Sequence, residues 1–314
     1  MKKFAFVFPG QGSQSVGMLD AWQDHPVVVE TLAEASEALG ENVGRLIHEG
    51  PKEALALTTN TQPVMLVAGV AAWRVWRAEG GATPAALAGH SLGEYSALVA
   101  AGVLTLAQAA PLVRLRAQAM QEAVPVGTGA MAAILGMNAD AVTAGCAEVT
   151  ASLGGAETVE AVNFNDPAQT VIAGSKLAVE KACEALKAAG AKRALPLPVS
   201  APFHSSLMKP AAEKLRAALA QIALAAPQIP VINNIDVTVQ TEPDAIREAL
   251  YRQAFGPVRW VECVQAMKAR GITHLIECGP GKVLAGLTRR IDAELVGAAL
   301  YDPATLAEVK ELIA

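Results

Sequence analysis

The sequence predicts an α/β protein: a largely parallel sheet carrying a second, smaller domain inserted into the chain. Three observations predict it. Short β-rich runs alternate with Ala-rich amphipathic segments ahead of the chain's middle, an order that lays helices over a parallel sheet. The middle instead reads strand, helix, strand, strand, helix, strand, which is the ferredoxin-like βαββαβ unit. Finally, "AALAGHSLGEYS" sets one serine between two glycines where a strand turns into a helix. That setting makes the large domain α/β-hydrolase-like.

Taken in order, "FAFVF" near the start is a first, buried strand. A helix follows near residues 26–39, another covers "MLVAGVAAWRVWRA", "AALAGHS" is a strand entering a turn, and "SALVAAG" is a helix. "TLAQAAPLVRLRAQAMQEA" reads as a further helix. The inserted unit runs through "GAMAAILGM" (strand), "NADAVTAGCAEVT" (helix), "TVEAVNFN" and "AQTVIAGS" (strands), "LAVEKACEALKAAG" (helix) and "AKRALPLPV" (strand). The expected division is therefore a large domain from 1–126 and 200–314 and a small one from 127–199. The exit, "LPLPVSAPFHS", stays extended because Pro196, Pro198 and Pro202 block a helix. His204, at its end, is expected on a loop between the domains, where small ligands usually bind.

With 314 residues, 52% of them hydrophobic, the chain can bury a large core. Its net charge of −5, with no basic run interleaved with aromatics, argues against nucleic acid as a partner. Cys146, Cys183, Cys263 and Cys278 form neither a CxxC pair nor a disulfide framework, and the five histidines form no HxxxH pattern, so no metal site is expected. "FAFVF" is too brief for a signal-peptide core, and Gly102, Thr105, Gln108 and Pro111 interrupt the longest apolar region. A cytoplasmic protein with no membrane association is expected.

Glycines at 89 and 93 are wanted when the backbone turns so sharply that side chains there would strike the neighbouring strand and helix, the geometry of a nucleophile elbow. Ser91 is thus a candidate nucleophile; the alternative is a plain helix-capping serine. The amide of Leu92, at the helix start, would face a developing oxyanion. A serine needs a base within hydrogen-bond reach. His25 and His48 lie in polar helical or loop stretches, His274 precedes "LIECG", and His90 is barred by adjacency, which leaves His204.

"FPGQGSQSVGM" fails as a dinucleotide fingerprint because Ser15 stands where the third glycine is required. It reads as a tight turn exposing Gln11, which could lend an amide to an oxyanion hole. "ECGPGKVLAG" lacks phosphate-loop spacing and is a sharp strand-to-helix turn. Around the helix containing Arg116, at roughly 100° per residue, Ala109, Val113, Arg116, Met120 and Ala123 share one face, opposite Arg114, Gln118 and Gln121. A buried guanidinium must meet an anion or cost several kcal/mol. That anion is either an internal carboxylate or one supplied by a substrate, gripped two-pronged.

Together "FPGQGSQ", "TQP" at 61–63, "GHSLGEYSAL", "RLRAQAMQ", "FHSSLM", "NNIDV", "QAFGPVRW" and "ECGPGKVLAGL" resemble the malonyl-CoA:acyl carrier protein transacylases of bacterial fatty acid synthesis along nearly the whole chain. The resemblance implies Ser91 as acyl acceptor, His204 as general base then acid, and the amides of Leu92 and Gln11 as oxyanion hole. It implies Arg116 as holder of the malonyl carboxylate and the main-chain carbonyl of Gln253 in place of an acidic triad member. Gln62 and Asn165 would line the cleft. The implied partners are malonyl-CoA and acyl carrier protein, the latter bringing its own phosphopantetheine, with no metal or redox cofactor and a monomeric enzyme. Since carriers are acidic, docking would need a local basic patch, either Lys187, Lys192 and Arg193 or Lys282, Arg289 and Arg290. A serine hydrolase and a non-catalytic scaffold are the rival readings.

Overall fold

The structure, a computed structural model, describes residues 1–199 and 201–314. Ser200, where the second large-domain segment was expected to begin, lies outside the described residues. The chain opens on β1 (Phe4–Phe8) and passes through α1 (Pro26–Leu39), α2 (Val43–Glu49), α3 (Lys52–Ala56) and α4 (Thr58–Ala78) to β2 (Ala86–Gly89). Next come α5 (Gly93–Ala100) and α6 (Leu106–Glu122). The middle follows the expected order: β3 (Gly129–Leu135), α7 (Ala139–Ser152), β4 (Val159–Asp166), β5 (Gln169–Ser175), α8 (Lys176–Ala188) and β6 (Arg193–Pro196). Beyond it lie α9 (Lys209–Leu219), β7 (Val231–Ile232), α10 (Pro243–Ala254), α11 (Trp260–Ala269), β8 (His274–Cys278), α12 (Val283–Ile291), β9 (Val296–Leu300) and α13 (Pro303–Ile313).

These strands form two sheets. The first, in order β7-β2-β1-β8-β9, is parallel throughout, with Phe6 opposite both Leu87 and Ile276. Every residue of β1, β2 and β8 is buried, which explains why they read as continuous apolar runs: a parallel sheet is covered on both faces. Phe4 and Phe6 meet Trp76 of α4 edge-on, at ring-centroid distances of 6.1 and 5.2 Å. The second sheet, in order β4-β5-β3-β6, is antiparallel. The result is the mixed α/β architecture expected.

The helix expected from Met65 begins seven residues earlier, at Thr58, and carries Pro63 inside it. A proline there removes one helical hydrogen bond. Burial of nearly the whole of α4 outweighs that local loss. α6 starts where a capping box allows it, with Thr105 and Gln108 exchanging side-chain and main-chain bonds.

The sheets are stitched together beside the candidate site. Val258 N donates to Val162 O at 2.8 Å and Phe164 N donates to Val258 O at 3.0 Å, so β4 pairs briefly with the segment between α10 and α11. Arg290 of α12 also pairs with Asp166 of β4 at 3.3 Å. No helix among the described residues is long and apolar enough to cross a membrane.

Candidate active site

The turn from β2 to α5 is as tight as its glycines suggested. A Cβ on Gly89 would stand 1.9 Å from the Gly93 carbonyl carbon, and one on Gly93 would stand 2.1 Å from Phe8 O. Ser91, between them, is held at φ +52, the left-handed region that non-glycine residues avoid unless their surroundings impose it. Gly10 serves the same crowding from the β1 side, since a Cβ there would lie 2.8 Å from His90 O.

Ser91 Oγ lies 2.6 Å from His204 Nε2, although the two are 113 residues apart. His204 itself sits at φ +65 and is buried. Its Nδ1 is 2.9 Å from Gln253 O. A carbonyl only accepts, so Nδ1 carries the proton and Nε2 is left as acceptor for the serine hydroxyl. Burial, then the positive charge of Arg116, push the imidazole down to about 3, against the opposing bond to Gln253. His204 therefore stands neutral, able to take a proton.

Arg116 is buried, as its helical face requires, while Arg114 pairs outside with Glu41. Its guanidinium donates to Gln62 Oε1 at 2.6 Å, Gln253 Oε1 at 3.1 Å and Ser91 Oγ at 3.2 Å. All three acceptors are uncharged, and no carboxylate among the described residues forms an ion pair with it. Burial lowers its pKa, with Tyr95, whose ring centroid lies 5.4 Å from the guanidinium carbon, and Glu94 opposing. A guanidinium begins so far above neutrality that it keeps its charge.

A cavity of about 380 Å³ opens over these groups, within the size range of small-molecule sites. Gln11, Gln62, Ser91, Leu92, Arg116 and His204 line its polar part. Met120, Met131, Leu197 and Phe203 supply an apolar wall drawn from both sheets' surroundings. Neither the amide of Gln11 nor that of Leu92 donates a hydrogen bond to a described residue. Asn165, expected to line the cleft, is not in its wall. It sits behind His90, with Oδ1 2.8 Å from His90 Nε2, and Asn163 faces the cavity instead. β4 is bulged between Ala161 and Asn163 and again between Phe164 and Asp166, so Asn163 and Asn165 do not share a face as residues two apart in a regular strand would. Among the described residues no His, Cys, Asp and Glu group is arranged to hold a metal.

The residue pattern of the acyl transferase domain family matches residues 5–294. The malonyl CoA-acyl carrier protein transacylase of Escherichia coli (strain K12) is 56% identical over 313 residues, covering 99% of this chain and all of that protein. This chain belongs to the malonyl-CoA:acyl carrier protein transacylase family. It is an acyltransferase. The Bacillus subtilis (strain 168) transacylase is 47% identical, over 98% of this chain and 96% of its own length. Among solved structures, the acyl-carrier-protein S-malonyltransferase of Burkholderia pseudomallei 1710b superposes with a TM-score of 0.96 at 65% identity, over 99% of this chain and all of that one. A malonyl-transacylase solved in complex with its type II PKS acyl carrier protein matches with a TM-score of 0.96 at 52% identity, again over 99% of this chain and all of that one.

Besides Asn163, the sequence reading gave no role to Glu94 and Asn234, which bond to Gln253 and Ser91. Glu94 Oε2 accepts from Asn234 N at 2.9 Å and from Gln253 Nε2 at 3.2 Å. Burial is the main cause of its pKa rising to about 7. A carboxylate opening an otherwise apolar helix, "EYSALVAA", was the available signal.

Proposed function

We propose that this chain moves a malonyl group from malonyl-CoA to the phosphopantetheine thiol of an acyl carrier protein through an ester on Ser91, in two half-reactions sharing one site. In the first, Ser91 Oγ attacks the thioester carbonyl while His204 Nε2 accepts its proton. The tetrahedral oxyanion is held by the amides of Gln11 and Leu92, each donor worth about 10² to 10³ in rate. Collapse breaks the C–S bond, and His204 returns the proton to the departing coenzyme A thiolate. In the second, His204 deprotonates the carrier thiol, which takes the malonyl group off the serine, giving ping-pong kinetics.

The observation that carries this reading is Arg116. A buried cation with no carboxylate paired to it among the described residues, beside a serine and histidine 2.6 Å apart, is a site waiting for an acyl group that brings its own carboxylate. Gln62, bonded to the same guanidinium, holds it in place. Each step is acyl and proton chemistry carried by side chains and main-chain amides, so the reading calls for no metal or redox cofactor. It also retains a cytoplasmic monomer and the division into 1–126 with 200–314 and 127–199. The parallel sheet is read as hydrolase-like, and the antiparallel one as ferredoxin-like from its strand order.

Intact-protein mass measured after incubation with malonyl-CoA tests the reading. The expected result is a gain of one malonyl group, lost in Ser91→Ala and transferred when holo carrier protein is added. In Arg116→Ala, loading from malonyl-CoA should fall far more than loading from acetyl-CoA, which lacks the distal carboxylate. Free malonate as main product, with and without carrier, would make the protein a hydrolase instead. Equal losses for the two acyl groups would return Arg116 to a structural role.

A further inference from the structure

One motif that carries the family resemblance has no role in this scheme: "NNIDV". Its second residue, Asn234, follows β7 and is fully buried. Asn234 Oδ1 accepts from Ser91 N at 2.8 Å, and Asn234 Nδ2 donates to Gly89 O at 2.7 Å. A single side-chain amide thus bridges both arms of the strained turn. Its main-chain N is fixed in turn by Glu94, which also binds Gln253 Nε2, and Gln253 O orients His204.

We propose that Asn234 is a positioning residue for acyl transfer: its amide pins residues 89 and 91 so that the Ser91 hydroxyl stays on His204 and the Leu92 amide stays at the cavity. This rests on the transfer reading above. A left-handed serine persists only where its surroundings over-determine it, and Asn234 provides two of the bonds that do so. The group expected to grip the malonyl end, Arg116 on α6, and Gln62 on α4, which holds it in place, are carried by other elements. Loss of Asn234 should therefore slow chemistry without weakening substrate binding.

The test is the rate of Ser91 malonylation at saturating malonyl-CoA, read by rapid quench and intact mass. Asn234→Ala should lower it on the order of 10²-fold, the cost of misplacing reacting atoms by about an ångström. The Kd for malonyl-CoA, measured with Ser91→Ala in both backgrounds, should not change. Asn234→Asp is the second variant. Its carboxyl can accept from Ser91 N in either state but can donate to Gly89 O only when protonated. The titratable and charged groups around it are Glu94 on α5, Cys263 on α11, Asp236 and Arg259 in the following chain, and, across Gln253 and Ser91, Arg116 and His204. Burial beside Glu94 raises such a carboxyl. The deficit of Asn234→Asp against wild type should accordingly shrink as pH falls.

Leu300→Ala, a core truncation on the far edge strand, is the matched control and should malonylate at the wild-type rate despite a lower melting temperature. The proposal is overturned by full-speed loading in Asn234→Ala, by a pH-independent deficit in Asn234→Asp, or by an equal deficit in Leu300→Ala. Should Asn234→Ala not fold, Asn234→Asp decides alone. Wild-type protein that forms no malonyl-Ser91 would instead sink the transfer reading itself, so the two failures are told apart.

Discussion

At the scale of single residues, the site is governed by what burial does to charge. His204 is pushed down to about 3 by loss of water and by Arg116, so it is deprotonated wherever the protein works. Glu94 is pushed up to about 7, chiefly by the same loss of water. These two shifts separate cleanly in a pH profile. Protonation of the base costs activity, but only in strong acid, because its folded value lies far below the ordinary 6.5. Any ionisation seen in Ser91 acylation between about pH 5 and 8 should then belong to Glu94 and vanish in Glu94→Gln, which keeps an acceptor for Asn234 N and Gln253 Nε2. Rates measured across that range on both proteins check this; an ionisation that persists in Glu94→Gln would mean His204 titrates as an ordinary imidazole.

At the scale of elements, the junction of β2 with α5 does the organising. Its glycines are there because the helix must start against the neighbouring strand, with no room for a methyl group on either side of the serine. Gly93→Ala would drive its Cβ to 2.1 Å from Phe8 O, a main-chain atom that cannot give way as a flexible side chain would. The expected outcome is destabilisation above the about 1–3 kcal/mol usual for overpacking, together with loss of acylation. Gly286→Ala is the contrast: within α12, exposed, with nothing near its Cβ. It should raise stability by about 0.5–1 kcal/mol, the helical cost of glycine against alanine. Thermal unfolding of the two variants beside wild type measures both effects, and similar melting temperatures would contradict the crowding argument.

At the scale of the molecule, the proposed transfer asks a chain of net charge −5 to receive an acidic carrier, so attraction would have to be local. The two basic clusters differ in how committed they are. Arg290 is paired with Asp166, and Lys282 lies over the Tyr301 ring at 5.0 Å. Lys187, Lys192 and Arg193 are exposed, and Arg193 begins β6, the strand that leads into cavity residues Leu197 to Val199. Reversing Lys192 and Arg193 to glutamate should raise KM for the carrier, more at low salt than at high, and leave loading from malonyl-CoA unchanged. Steady-state kinetics with carrier as the varied substrate checks this; an unchanged KM rejects the cluster.

What the sequence determined by itself was local. The elbow at Ser91 could be read from glycines two residues to either side, and the buried face of Arg116 from a helical period, because both follow from backbone sterics over a few residues. The alternation of strand and helix likewise announced a parallel sheet. Only the tertiary structure decided which groups meet. Long-range contact brings His204 to Ser91 across 113 residues and Asn234 to Ser91 across 143, and no spacing rule encodes contacts at such separations. β4 makes the same point within one strand: its bulges broke the two-residue period and put Asn163, not Asn165, at the cavity.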